Sequence, residues 1–377
     1  MIKGIYVHIP FCHQICSYCD FNKFYFHNQP VDAYLDRLDQ EMEHWSRKTD
    51  LSEVHTVFLG GGTPTSLSLR QLSKLFDSLE QHFPIHQITE FTSEANPDEL
   101  TYDKMELMAA RGVNRFSIGV QTFDARLLKV LGRTHTEQHV ERVIQHANDL
   151  KFPSISMDLM YGLPNQTMDH WKDALHRAFQ MPITHISAYS LIVEPKTIFY
   201  NLMSKGKLPL PAQDLERDMY DYLLTSTKKH DFEQYEISNF AKNGLYSKHN
   251  SIYWKNEEYL GLGAGAHGYV DGIRYSNHGP LKKYMSALEE GNLPIIHQNF
   301  VTEKEAMEEE LFLGLRMNKG VSFSDFKRKY GNDLREIYQS QLSKQIQLGN
   351  LEERDGRLQL TYQGRFIGND VFSEFLL

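Results

Sequence analysis

From the N-terminus to about residue 200, short runs of alternating apolar residues are separated by longer stretches with apolar residues at helical spacing. The short runs predict six strands, at residues 5–9, 56–59, 88–94, 115–121, 154–161 and 185–193. Helices are predicted in the gaps, for example at 31–48 and 136–150. This alternation predicts an α/β fold with a parallel sheet and right-handed crossovers. Because a closed barrel of this type has eight strands, six units predict a partial (β/α)6 barrel.

The pattern changes after residue 210. A helix is predicted at 214–229, and the Gly- and aromatic-rich stretch 235–278 has no clear period. Helices return after Thr302, and residues 351–361 predict a hairpin that turns at Asp355 and Gly356. We therefore expect two domains: a barrel over 1–210, and a smaller, mainly helical, winged-helix-like C-terminal domain over 211–377.

Charge and composition limit the classes of partner. A winged helix raises DNA binding as an alternative, but residues 301–377 contain 11 Lys and Arg against 13 Asp and Glu, and the formal net charge of the chain is −9. The chain therefore lacks the basic surface that nucleic-acid binding requires. The N-terminus does not resemble a signal peptide, and no apolar run is long enough to span a membrane. With free thiols in addition, these features predict a cytoplasmic protein.

All three cysteines of the chain, Cys12, Cys16 and Cys19, lie within eight residues of one another. A tetrahedral zinc site needs four ligands, whereas an iron–sulfur cluster held by three cysteines leaves one iron open to another ligand. A disulfide would leave an odd cysteine, and zinc could recruit His8 or His13 as a further ligand. The spacing C-x3-C-x2-C is similar to the radical S-adenosylmethionine (radical SAM) signature.

Other polar or glycine-rich positions follow the predicted strands. The cysteines come after the first strand, Gly60, Gly61 and Gly62 after the second, and Glu94 ends the third. Gln121 ends the fourth strand, and Asp158 lies near the end of the fifth. Each residue alone is typical of a tight turn or a rim hydrogen bond. Because barrel enzymes build their sites at the carboxyl ends of parallel strands, the set together predicts a cofactor site.

Four further segments carry a resemblance to a known family. They are Arg115-Phe-Ser-Ile-Gly-Val-Gln121, Leu131-Gly-Arg-Thr-His135, Asp158-Leu-Met-Tyr-Gly-Leu-Pro-Asn-Gln166 and Gly261-Leu-Gly-Ala-Gly-Ala-His-Gly268. With the cysteines, they resemble the radical SAM family of oxygen-independent coproporphyrinogen III oxidases and their relatives, over essentially the whole chain. The resemblance implies that Cys12, Cys16 and Cys19 bind a [4Fe–4S] cluster. It also implies that the S-adenosylmethionine site is lined by Tyr6, Tyr18, Gly61, Gly62, Thr63, Glu94, Gln121, Arg133 and Asp158.

Two features favour the heme chaperone branch of this family. The decarboxylating oxidases have an N-terminal extension and a further cysteine two positions after the last motif cysteine, where this chain has Phe21. His249-Asn-Ser-Ile-Tyr-Trp254 matches the H-N-x-x-Y-W motif of the chaperones, in which His249 could ligate heme iron while Tyr253 and Trp254 contact the porphyrin. The resemblance thus implies heme as a ligand and a heme-acceptor protein as a partner, a membrane-associated respiratory protein being one candidate. The alternatives are a coproporphyrinogen III oxidase and a zinc-bearing interaction protein.

Overall fold

The computed structural model describes residues 1–376. The strands within them are β1 Gly4–Ile9, β2 Phe11–Cys12, β3 Phe24–Tyr25, β4 Thr56–Gly61, β5 Glu90–Ala95, β6 Arg115–Gln121, β7 Ser154–Tyr161, β8 His185–Ser190, β9 Glu233–Gln234, β10 Asn239–Ala241, β11 Tyr259–Leu262, β12 His267–Val270, β13 Ile273–Asn277, β14 Ile295–Phe300, β15 Val321–Ser322, β16 Leu351–Arg354 and β17 Arg357–Leu360. The α-helices are α1 Val31–Lys48, α2 Leu69–His82, α3 Tyr102–Ala110, α4 Ala125–Leu131, α5 Glu137–Asp149, α6 Met168–Gln180, α7 Ile198–Met203, α8 Gln213–Lys229, α9 Lys248–Trp254, α10 Leu281–Glu289, α11 Glu303–Gly314, α12 Phe323–Tyr330, α13 Leu334–Ile337, α14 Gln339–Gln347 and α15 Gly368–Ser373. Within the described part of the chain, no helix is long and apolar enough to cross a membrane.

One large sheet forms the centre of the molecule. Across residues 1–376 it has twelve strands, in the order β14-β13-β12-β11-β1-β4-β5-β6-β7-β8-β10-β9. The six predicted strands, β1 and β4–β8, lie side by side and pair in parallel. The predicted bounds of β6, β7 and α1 coincide with those of the structure. The predicted α/β fold is therefore confirmed.

The Gly- and aromatic-rich stretch contributes a parallel strand that was not predicted. Strand β11 pairs in parallel with β1, Tyr6 lying opposite Gly261, and β12–β14 extend the sheet by antiparallel pairing. These strands have four to six residues, and β11 and β12 each contain a glycine, so the alternation of apolar residues is too short to detect.

The two faces of the sheet differ in character because successive side chains of a strand point to opposite faces. In β1, Ile5, Val7 and Ile9 are fully buried and belong to the main apolar core with residues of α1 and α2. Tyr6 and His8 point to the other face, which we call the inner face. The aromatic ring of Tyr6 stacks on that of Phe58 from β4, with ring centroids 6.1 Å apart. The cofactor residues predicted from the sequence are mostly on this inner face or at its rim.

The C-terminal part has a smaller core of its own. Residues of α11, α12, α14, α15 and the sheet β15–β17–β16 form a separate apolar cluster. The predicted hairpin is confirmed: β16 pairs with β17, and Asp355 and Gly356 have φ angles of 51° and 72°. Strands β9–β14, which follow residue 210, belong to the large sheet, and the domain boundary at 210 stays a prediction.

Candidate functional site

The cysteine loop leaves the carboxyl end of β1 and is tied to its surroundings by backbone hydrogen bonds. Cys12 is buried on β2, which pairs with β3, and Cys16 and Cys19 are partly exposed in the loop that follows. At the middle of the loop, the Ser17 amide donates to the Leu131 carbonyl (2.9 Å), and the Phe199 amide donates to the Ser17 carbonyl (3.1 Å). The loop is thereby held between the end of α4 and the start of α7.

Burial affects the acidity of two of the three thiols. Burial raises the pKa of Cys12 to about 12, opposed by the Thr63 hydroxyl, which lies 3.5 Å from its sulfur, and burial also raises the pKa of Cys19. Iron binding would then displace thiol protons. Over residues 1–376, no three Cys, His, Asp or Glu side chains are grouped to hold a single metal ion. A [4Fe–4S] cluster does not need such a group, since each thiolate binds a different iron, and three thiols on one loop therefore fit it.

The glycine run at the end of β4 lies directly against the cysteine loop. The Gly62 amide donates to the Ile9 carbonyl and the Thr63 amide to the Phe11 carbonyl, both at 2.9 Å. A side chain at position 62 would place its Cβ 2.8 Å from the backbone nitrogen of Phe11. Glycine is therefore required for this close approach of the β4 end to the cysteine loop.

Arg133 connects three strand ends beneath the loop. Its guanidinium donates to Asn96 Oδ1 (2.7 Å) and to the Gly119 carbonyl (2.5 Å), and lies 3.6 Å from the sulfur of Cys16. Asn96 in turn donates to the Thr63 hydroxyl (3.2 Å). Asn96 was missed from the sequence, although its place two residues after Glu94 could have indicated it. A Cβ at Gly119 would lie 2.4 Å from Arg133 Nη2, so glycine there makes room for the guanidinium.

Two carboxyl groups, those of Glu94 and Asp158, lie on the inner face of the sheet. Burial, and then the nearby Asp158, raises the pKa of Glu94 to about 8, against the effect of the Gly61 amide, which donates to Glu94 at 3.1 Å. Burial also raises the pKa of Asp158, although the Ser117 hydroxyl lies 2.9 and 3.1 Å from its two oxygens. Asp158 is the fifth residue of the eight in β7, farther from the strand end than expected. Both carboxyl groups are placed to accept hydrogen bonds from hydroxyl or ammonium groups.

The other predicted S-adenosylmethionine residues surround the same space. Gln121, the last residue of β6, has a φ of 64° and follows a register shift between β6 and β7. Non-glycine residues with positive φ are strained and concentrate at functional sites. The Tyr6 hydroxyl is hydrogen-bonded to His8 Nδ1 (3.0 Å), and Tyr18 packs in an apolar cluster with residues of α4 and α7.

The H-N-x-x-Y-W motif lies at the opposite end of the strands. His249 is fully buried on α9, with its Nδ1 hydrogen-bonded to Thr56 and its Nε2 to the Tyr253 hydroxyl, both at 2.8 Å. Its backbone amide donates to Glu90 (2.8 Å). Because Thr56 and Glu90 are the first residues of β4 and β5, this motif contacts the amino ends of the strands. The Trp254 ring lies 5.5 Å from the Arg316 guanidinium, and its Nε1 is buried without a partner.

Comparison with known proteins shows the fold and the family of the chain. Residues 6–178 match the model of the radical SAM superfamily, and residues 301–367 match the HemN C-terminal domain. The fold is similar to that of coproporphyrinogen III oxidase (HemN) from Escherichia coli, with a TM-score of 0.85 and 24% identity over 99% of this chain and 90% of that chain. The chain is therefore a radical SAM protein with a HemN-type C-terminal domain.

Relatives that match this chain over nearly the full length of both proteins show its family within the radical SAM proteins. Heme chaperone HemW of Bacillus subtilis is 47% identical over 100% of this chain and 99% of its own length. Heme chaperone HemW of Lactococcus lactis is 40% identical over 100% of this chain and 97% of its own length. This protein belongs to the family of heme chaperone HemW.

Proposed function

We propose that this protein is a cytoplasmic heme chaperone, which binds heme and transfers it to an acceptor protein while carrying a [4Fe–4S] cluster and S-adenosylmethionine. Similarity to named heme chaperones over the full length of both chains is the observation that carries the proposal. The negative net charge supports the absence of nucleic acid among the partners. The acceptor would be a protein that needs heme, with a membrane-associated respiratory protein as one candidate.

Cys12, Cys16 and Cys19 would hold the cluster, which supplies an open iron and one-electron chemistry when bound. The protein's own part is to fix the loop and to place polar groups around the open position. The Thr63 hydroxyl donates to the Cys12 sulfur and opposes the rise that burial causes in the pKa of Cys12, and the Arg133 guanidinium lies against the Cys16 sulfur.

The inner-face residues would bind S-adenosylmethionine. Glu94 and Asp158 would accept hydrogen bonds from the ribose hydroxyls or the amine, and the backbone of Gly61, Gly62 and Thr63 would approach the amino-acid part. Tyr6, Tyr18, Gln121 and Arg133 would complete the site. Each carboxylate has lone pairs beyond those that the Gly61 amide and the Ser117 hydroxyl use, so both can accept further hydrogen bonds from a ligand.

The heme motif needs a rearrangement before it can act as proposed. In the described conformation both ring nitrogens of His249 are hydrogen-bonded and the side chain is fully buried, which leaves no nitrogen for heme iron. Axial ligation by His249 therefore requires the loss of at least one of these two hydrogen bonds. The contribution of His249, Tyr253 and Trp254 to heme binding stays a prediction.

Anaerobic reconstitution with iron, sulfide and S-adenosylmethionine tests the proposal. We expect iron and inorganic sulfide to be retained by the parent and by Ser17→Ala, a control inside the same loop, but lost in Cys12→Ala, Cys16→Ala and Cys19→Ala. Stoichiometric zinc without sulfide would favour an interaction protein instead. Conversion of coproporphyrinogen III at a catalytic rate would favour the oxidase, the second class that the family contains.

A further inference from the structure

The motif Gly261-Leu-Gly-Ala-Gly-Ala-His-Gly268 has no role in the function proposed above. Its first two residues, Gly261 and Leu262, end β11, and residues 263–265 then turn at the carboxyl end of that strand, beside the cysteine loop. Gly263 and Gly265 have φ angles of 100° and 78°, a region that favours glycine. We call this segment the 263–265 turn.

Asn22 joins the cysteine loop to this turn. Its side-chain amide donates to the carbonyls of Ala264 (2.8 Å) and Gly279 (3.0 Å), which are distant from it in sequence. Its own carbonyl is hydrogen-bonded to His8 Nε2 (2.7 Å). A Cβ at Gly265 would lie 2.8 Å from the Asn22 side chain, so the turn fits closely around this residue. Asn22 therefore fixes the exit of the loop, three residues after Cys19.

A buried hydrogen-bond network, centred on two residues of α1, holds the 263–265 turn in place. Glu41 accepts hydrogen bonds from the Gly263 amide (2.8 Å), from Asn277 (2.6 Å) and from the Tyr284 hydroxyl (2.6 Å). Tyr34 donates to the His8 carbonyl (2.7 Å) and accepts from the Ala264 amide (3.1 Å). The turn is thus bound to α1, α10, β1 and β13.

We propose that Asn22 is a positioning residue for the iron–sulfur cluster, held by the 263–265 turn. Pairing of β2 with β3 joins the two ends of the cysteine loop, and Ser17 holds its middle, while Asn22 adds side-chain hydrogen bonds on the exit side, between Cys19 and β3. The ammonium group of the next residue, Lys23, donates a hydrogen bond to the Cys19 carbonyl, so Asn22 also sets the position of this positive charge. The inference rests on the proposed cluster at Cys12, Cys16 and Cys19, and assigns the 261–268 motif a part in holding it.

Chelator-driven iron loss from the anaerobically reconstituted protein tests this role. Asn22→Ala removes two side-chain hydrogen bonds, and we expect iron loss about tenfold faster than in the parent, from their combined effect on local opening of the loop. The EPR spectrum of the reduced cluster should change as well. Asn332→Ala is the control, because Asn332 also donates to a backbone carbonyl, that of Tyr330, in the C-terminal part of the chain.

A second variant perturbs the same contact from the other side. Gly265→Ala would push against Asn22, and we expect it to accelerate iron loss too. Gly244→Ala is its control, because Gly244 has a similar φ of 70° but no atom within 4 Å of the added Cβ. If both test variants lose iron at the rate of their controls, or only in proportion to a lower unfolding temperature, the proposal is wrong. If the parent holds no cluster at all, the proposed function fails instead.

Discussion

The Glu41→Gln substitution tests the buried network that holds the 263–265 turn. All three partners of Glu41 donate to it, two of them to Oε2 and Asn277 to Oε1. A glutamine can accept the hydrogen bonds of the Gly263 amide and the Tyr284 hydroxyl with its side-chain oxygen. Its amide nitrogen, however, would face the side-chain nitrogen of Asn277. Asn277 can relieve that clash only by turning its amide, which gives up its 3.0 Å hydrogen bond to the Gly263 carbonyl. We therefore expect a loss of about 1–2 kcal/mol in stability at acidic pH.

The pH dependence makes the test specific. Burial raises the pKa of Glu41 to about 7 from an ordinary value of 4.5, against the effects of Tyr284, Gly263 and Asn277. The folded protein thus holds this proton more tightly than the unfolded chain does. The stabilisation that the folded protein gains from this bound proton is fully present below pH 4.5 and is lost as the pH rises through 7. A shift of this size corresponds to roughly 3 kcal/mol. Glutamine does not titrate. Between pH 5 and pH 8.5 the free energy of unfolding of the variant should therefore rise, relative to that of the parent, by up to about 3 kcal/mol.

Chemical denaturation at both pH values gives the two free energies of unfolding for each protein. Glu43→Gln is the matched control, because Glu43 is a partly exposed residue of the same helix that pairs with Arg47. The control should show the same difference from the parent at both pH values. If the Glu41→Gln difference is also independent of pH, the buried carboxyl does not bind a proton in this range and the reasoning is refuted.

Further predictions concern the two ends of the strands. Gly119→Ala should displace Arg133 and weaken S-adenosylmethionine binding about tenfold in equilibrium dialysis, from the loss of one or two charge-assisted hydrogen bonds; unchanged binding would remove Arg133 from the site. Tyr253→Phe frees His249 Nε2 and should speed heme binding in stopped-flow absorbance, whereas a rate equal to the parent's would show that this hydrogen bond does not limit access. Trp254→Ala should weaken heme binding by only about 1 kcal/mol, measured by titration, and a complete loss would contradict a simple stacking role. The reconstituted protein should not convert coproporphyrinogen III, as followed by porphyrin fluorescence after oxidation.

The parallel core was predictable because its signals are local. Strands β6 and β7 are long enough to show apolar continuity, and α1 has apolar residues at helical spacing over five turns. The position of the cysteines and of Gly61 at strand ends follows from the same pattern. The position of Asp158 does not, because the sequence does not show where along β7 the inner face becomes accessible.

The contacts that join distant segments could not be predicted. In the sequence alone, nothing distinguishes Asn22 from an ordinary loop residue. Only the fold brings it into contact with Ala264 and Gly279. His249 was recognised by its motif, but its burial against Thr56 and Tyr253 depends on strand β4 and on the turn of α9. A motif indicates which residues act together, whereas their solvation and partners come from tertiary structure.

Hemin titration of the anaerobically reconstituted protein, followed by heme absorbance, tests the heme chaperone assignment most directly. We expect a saturable site in the parent, and His249→Ala should bind heme more weakly with a changed spectrum while its cluster iron and sulfide contents stay the same. Heme binding without saturation in the parent would contradict the chaperone function. A variant that binds heme like the parent would remove His249 from the site and make His267, the exposed histidine of β12, the next candidate ligand.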